Sequence, residues 1–207
     1  ETNDALQLLG TYKTLSFSAS YNYIRNTATT ALARHETKDD VVLKRVINIP
    51  SYSTLSLGLE WSDSFGPYSP SIEVGFQKQL LKYSGLTFDR PMLELSTSHY
   101  VELGKGWSVN ADASYSSRRH HLFSEYSAKW SYSLMLSKEI GNFTFDLSLQ
   151  NLFLDNKQYR TRRMAGIFAQ EIEAQDFSGV GLNVSYRIHS VKAGYRNKKT
   201  SSEGHRF

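Results

Sequence analysis

The sequence predicts an all-β protein, an antiparallel transmembrane β-barrel segment with eight strands. Three observations predict it. Apolar and polar residues alternate with a period of two along most of the chain. Short and long connections between the alternating runs follow one another strictly. Aromatic residues gather at the ends of the runs.

The first run, 11–25, sets Leu15, Phe17, Ala19, Tyr21 and Tyr23 against Ser16, Ser18, Ser20 and Asn22. The second, 53–62, sets Leu55, Leu57, Leu59 and Trp61 against Ser56, Gly58 and Glu60. The third, 69–81, carries Ile72, Val74 and Phe76 on one face. The fourth, 92–103, is weaker, with Leu93, Leu95 and Val101; His99 falls on its apolar face unless a bulge turns Tyr100 outward instead. The fifth, 107–117, alternates Trp107, Val109, Ala111, Ala113 and Tyr115 with Ser108, Asn110, Asp112 and Ser114. The last three are 126–140, 143–153 and 178–188. Thr29 to His35 has some helix propensity, but so short a stretch does not hold a helix alone.

Ser64-Phe65-Gly66-Pro67, Gly104-Lys105-Gly106 and Gly141-Asn142 are tight connections. The segments 26–52, 82–91, 118–125 and 154–177 are long. A meander then has all tight turns at one end and all long loops at the other, the layout of outer-membrane barrels.

Composition excludes several classes. Aromatic residues are 13% and charged residues 21% of the 207, the reverse of a disordered chain. Cys is absent, which removes disulfide scaffolds and thiolate metal sites. No apolar run reaches the roughly 18 residues of a membrane helix. The net charge of +4 is too small to argue for nucleic acid. Glu1-Thr2-Asn3-Asp4 has neither the basic region nor the apolar core of a signal peptide.

Soluble β-barrels and sandwiches also alternate. Two features favour the bilayer. The polar faces are mostly Ser, Asn, Gly and Asp, small residues suited to a hydrated lumen. The aromatics form two girdles: Trp61, Trp107, Phe143 and Tyr186 toward the tight turns, and Tyr21, Tyr23, Tyr115 and Trp130 toward the long loops. Alternation then turns Glu60, Glu73, Glu94, Asp112, Asp146 and Arg187 to the lumen.

Two loop clusters are candidates for ligand contact. Arg118, Arg119, His120 and His121 follow the fifth run. They read either as an anion or metal site or as a solvated loop; adjacent His point apart in an extended segment, and no third ligand is evident. Arg160, Arg162 and Arg163 face Glu171, Glu173 and Asp176 across 154–177. Ligand or lipopolysaccharide contact is one reading, an extended hairpin with cross-strand charge pairs the other. No catalytic, metal or cofactor site is assigned. His99 beside Ser98, and His120 and His121 beside Asp112, are the only hydrolase candidates, and G-x-S-x-G is missing.

Several segments in order resemble the C-terminal part of the TonB-dependent receptor type of outer-membrane β-barrel found in Bacteroidetes. They are Arg90-Pro91-Met92, Leu103-Gly104-Lys105-Gly106-Trp107, Ala113 to Ser117, Gln150-Asn151-Leu152-Phe153 and Gly181 to Ile188. The tail from His189 to Arg206-Phe207 is similar to the family's basic extension. Departures are Leu154-Asp155-Asn156, where the family more often has Asn-Thr, and a tail poorer in Gly.

The resemblance implies a barrel of about 22 strands of which these are the last eight. Residues 1–188 would be barrel and 189–207 a basic periplasmic tail. It implies uptake of large or scarce substrates across the outer membrane, with no enzymatic step. Its partners would be outer-membrane lipid, a plug domain and the preceding strands, TonB indirectly, and by analogy a surface lipoprotein. No plug segment lies in these residues, so a fragment is expected. A self-contained eight-stranded barrel acting as anchor, adhesin or small enzyme stays open, as does a soluble barrel for an apolar ligand.

Overall fold

The computed structural model describes residues 1–35, 37–38, 41–154, 157–164, 166–174 and 178–188. Asp176 and the tail 189–207 lie outside the described residues. Among the described residues every regular element is a strand.

The chain opens with β1 (Thr2–Tyr12), β2 (Leu15–Arg34), β3 (Val42–Ser62) and β4 (Tyr68–Tyr83). β5 (Leu86–Phe88) folds back on the end of β4, and β6 (Met92–Gly104) and β7 (Trp107–Ser116) follow. β8 (Arg119–His121) and β9 (Ser124–Tyr126) form a small hairpin. Then come β10 (Lys129–Ile140), β11 (Phe143–Gln150), the hairpin β12 (Lys157–Met164) and β13 (Ile167–Ala174), and β14 (Gly179–Tyr186).

Two sheets result. The large one has ten strands: β5 pairs with β4, and the rest form one antiparallel meander, β1-β2-β3-β4-β6-β7-β10-β11-β14. The small one runs β13-β12-β9-β8. Among the described residues β1 pairs only with β2 and β14 only with β11. The large sheet therefore has two open edges and does not close.

Among the described residues the meander has nine strands, where the alternation gives eight. The expected first strand at 11–25 is two strands joined at Lys13-Thr14. Adjacent Leu8 and Leu9 hide the period in β1, because Leu9 lies on the polar face, and no Gly marks the turn; Lys13 itself takes φ 53°. An odd count sends the chain in at the long-loop end and out at the tight-turn end.

The expected loop at 26–52 is mostly strand. β2 and β3 stay paired out to Arg34↔Val42. Asn26 (φ 57°) and Pro50, which lacks an N–H, lie between the Arg25↔Ser51 and Thr27↔Ile49 pairs and mark a break in the ladder. Within the band the odd positions Leu57 and Leu59 are exposed, whereas beyond the break the odd positions Thr27, Ala31 and Ile49 are buried.

Among the described residues, Ala31 and Ile49 belong to a cluster of buried apolar side chains with Leu81, Phe88, Phe123 and Met164. It sits entirely at the long-loop end, where β2–β3, β4–β5, β8–β9 and β12–β13 meet. Phe123 contacts Phe88 and Tyr83 at ring distances of 5.2 Å each.

Candidate functional site

Register places the apolar residues of the large sheet on one face. One row runs Phe17–Leu59–Val74–Leu95–Tyr115–Trp130 across β2, β3, β4, β6, β7 and β10. It starts near the tight turns and ends near the long loops. That stagger is the shear of a barrel wall with tilted strands. The face is exposed: Leu59 is 45%, Leu93 52% and Leu182 72% accessible. A continuous apolar surface of this kind needs a cover other than water.

The aromatic positions named above all fall on this face. Toward the tight turns, Trp61 lies near Phe65, Trp107 opposite Lys138, and Phe143 4.8 Å from Tyr186. Toward the long loops, Tyr115 meets Trp130 at 4.5 Å, and the Tyr21 hydroxyl shares a hydrogen bond with Ser53 Oγ at 2.8 Å. Tyr23 carries Arg25 over its ring. From Trp107 to Tyr115 the rise of about 3.3 Å per residue gives about 26 Å along the strand. At a barrel tilt that is close to the height of a membrane band.

His99 also lies on this face, opposite Ala111. The bulge in β6 comes later, between Glu102 and Gly104, so Tyr100 stays on the polar face. The imidazole is half-buried; Tyr68 stacks on it and bonds Nδ1 at 2.8 Å. Ser98 points to the opposite face, and Asp112 sits in the band away from His120 and His121. Neither hydrolase grouping is brought together.

The other face is hydroxyl-rich. Its rows include Glu60–Glu73–Ser96–Ser114–Ser131 and Ser71–Ser98–Asp112–Ser133–Gln150. Glu60 and Glu73 are directly opposite, and Glu94 faces Gly75. Asp112 accepts from Asn110 Nδ2 at 2.7 Å and Ser133 Oγ at 3.0 Å. Asp146 accepts from Ser137 Oγ at 2.7 Å and Asn183 Nδ2 at 3.3 Å. Arg187 follows β14, where its N–H bonds Asn142 O. The wall is tightly meshed: a Cβ on Gly58 or Gly181 would come within 2.6 Å of Ser18 or Ser148 Oγ. Ser71, Glu73, Asp112 and Ser131 line a trough of about 340 Å³ here.

At the long-loop end the two Arg-rich loops form one structure. β9 pairs with β12, so Arg160 is opposite Tyr126 and Arg162 opposite Ser124. One face of the small sheet gathers Arg119, His121, Arg160 and Arg162. Ser124 Oγ accepts from Arg160 Nε and Arg162 Nε, each at 3.2 Å. Arg119 and Arg160 both cover the Tyr126 ring, at 5.1 and 5.7 Å. Arg160 also pairs with Glu173 at 3.1 Å. The other face holds His120, Glu125 and Arg163. Arg118 and Arg163 line a second hollow with Arg90, and Arg163 lies over Phe168. Arg90 pairs with Glu125, and its N–H donates to His120 Nδ1 at 3.1 Å. Burial chiefly, with Arg90 adding, holds the His120 imidazole below its usual range, although Glu125 and Asp89 pull the other way.

Gln79 and Lys44, which help to shape this end, carry no sequence signal. Gln79 is buried and clasps both neighbouring loops: Nε2 donates to Phe88 O (2.7 Å) and Leu122 O (2.9 Å), while Oε1 accepts from Leu122 N (2.8 Å). Asn151 continues the β10–β11 ladder with its own side chain, since Oδ1 accepts from Tyr132 N at 2.8 Å. Its place in Gln150-Asn151-Leu152-Phe153 was a visible signal; its role was not. Lys44, on the distal part of β3, reaches the small sheet and lies 3.7 Å from Glu171.

A staggered antiparallel sheet with a belt-bounded apolar face and a hydroxyl-rich opposite face defines a membrane-spanning β-barrel protein. The family comparison gives the particular kind: a model of the outer membrane protein β-barrel family matches residues 1–186, and the chain belongs to that family. Its place is the outer membrane. No curated protein and no solved structure matches it.

Proposed function

We propose that this chain is the C-terminal arc of a larger outer-membrane receptor and transporter of the TonB-dependent type, acting in substrate uptake rather than as an enzyme. One observation carries the reading: the wall is well formed, yet among the described residues both of its edges are open. Backbone groups on a bare strand edge find no partner in hydrocarbon, and each costs several kcal/mol. Further strands beside β1 and β14 remove that cost. A self-contained barrel would need β1 and β14 to pair, and single-chain bacterial barrels have even strand numbers. The nine-stranded meander has neither property.

The long-loop end, with its own core and basic cluster, would face outward and meet substrate. The hydroxyl-rich wall would line the lumen, with Glu60, Glu73, Glu94, Asp112 and Asp146 available to a plug. β14 then ends on the periplasmic side. The Bacteroidetes-type resemblance, a surface lipoprotein lid and the link to TonB belong to the same reading.

The test is photo-cross-linking in the outer membrane. A benzophenone side chain at Leu6 or Leu8 of β1, or at Leu182 of β14, is expected to cross-link to strands outside residues 1–188. Cross-linking of β1 to β14 of the same chain would overturn the arc. Loss of TonB-dependent uptake on deletion of the protein is expected from the transport half of the reading.

A further inference from the structure

A cleft of about 360 Å³ lies between the β2–β3 hairpin and the small sheet. We propose that it binds a phosphate group on Lys44, Arg160 and Arg162, with Glu171 as the internal anion that the phosphate displaces. The phosphate would be carried by a small solute or by a lipid headgroup. The inference names a ligand chemistry for the loop end of the receptor reading. Binding itself does not depend on that reading, so either can fail alone.

Arg162 is the most buried of the three cations. Its side chain is only 11% exposed, and its Nε donates to Ser124. Its Nη1 lies 3.8 Å from Glu171 Oε1, too far for a hydrogen bond. A guanidinium taken out of water without a close anion is costly. Lys44 Nζ stands 3.7 Å from the same oxygen, and Arg160 Nη1 stands 3.7 Å from Glu171 Oε2. One carboxylate is thus shared among three cations in ion pairs of 3.7–3.8 Å, none of them a hydrogen bond.

The hairpin does not need Glu171 for its ion pairing. Glu173 supplies a hydrogen-bonded pair to Arg160 at 3.1 Å. Among the described residues these three cations exceed the two carboxylates, which leaves the group a net positive charge. The cations also come from two elements, Lys44 on β3 and the arginines on β12. A tetrahedral phosphate offers oxygens in several directions, where a planar carboxylate offers two in one plane. Ser124 and the Tyr126 ring hold Arg160 in place before any ligand arrives, which lowers the ordering cost.

The experiment uses the protein extracted from outer membranes in detergent. Inorganic phosphate and glycerol 3-phosphate are titrated by calorimetry. Flotation with phosphatidate vesicles, against phosphatidylcholine vesicles, tests the headgroup source. Saturable binding in either arm is expected, and the arm that responds names the source. Arg162→Gln should weaken binding by about tenfold or more, the size of a charge-assisted bond. Glu171→Gln should tighten it, because the competing anion is gone. Glu173→Gln removes an anion from Arg160 alone, so it should tighten binding less than Glu171→Gln, which removes the anion shared by all three cations. No binding by the parent protein and by Glu171→Gln in both arms would overturn the proposal. So would equal effects of Glu171→Gln and Glu173→Gln, which would mean a structural role alone.

Discussion

The transmembrane band and the long-loop end use opposite means of stabilisation. In the central band, side chains such as Leu57, Leu59 and Val74 stay exposed, and cohesion comes from ladder hydrogen bonds and from lipid. At the loop end Ile49, Leu81, Phe88 and Phe123 make a dry core as a soluble domain does. The buried Gln79 clasp adds bonds that lipid could not supply. One chain thus carries a wall that depends on its solvent and a cap that depends on its packing. Mutations in the two regions should differ in where their effects appear.

The largest effect is expected from Phe123→Ala. Truncating a buried Phe costs about 3–5 kcal/mol through lost transfer energy and the cavity left behind. The loss should be confined to the cap. Hydrogen exchange should quicken in β8–β9 and β12–β13 while the ladders of β6, β7 and β10 keep their protection. Loss of protection throughout would mean that cap and wall fold as one unit.

Leu57→Arg reverses the pattern. A charge on the lipid face near mid-band costs about 2–4 kcal/mol, whereas the lumen face tolerates charge. Insertion into vesicles should therefore fall for Leu57→Arg and hold for Ser96→Arg, on the opposite face. Equal penalties would contradict the assignment of faces.

The same contrast explains what could be read from sequence. The band was legible because a wall with one face in lipid and one in water writes its period directly into the chain, as in Leu55 to Trp61. β1 was not, since Leu8 and Leu9 fall on opposite faces. The cap was hardly legible at all. Its core joins Leu81, the last residue of the third run, to Ile49, Phe123 and Met164, which fall in expected loops far apart in sequence. The charged loops were visible as Arg118 to His121 and Arg160 to Arg163. That they share one sheet follows from the β9–β12 pairing, and Lys44 joins them through a hairpin extension that falls in the expected long loop 26–52.

The smallest effect is a pH response confined to the cap. His120 Nδ1 accepts the Arg90 N–H and therefore needs the neutral ring; His120 N in turn donates to Arg90 O at 3.2 Å. The groups around it are the Phe88 ring, Arg90, Asp89 and Glu125. Its folded pKa is depressed, with burial the main cause. The unfolded segment then takes up a proton first as pH falls. The stabilising contribution is full above the unfolded value of about 6.5 and is lost as pH drops through the folded value. Hydrogen exchange at β8–β9, corrected for intrinsic rate, should therefore show weaker protection at pH 5 than at pH 7.5. His120→Gln presents an acceptor that does not titrate in this range and should flatten that difference. An unchanged pH response in His120→Gln would move the sensor to another group in the cap, with the Glu125–Arg90 pair next to test.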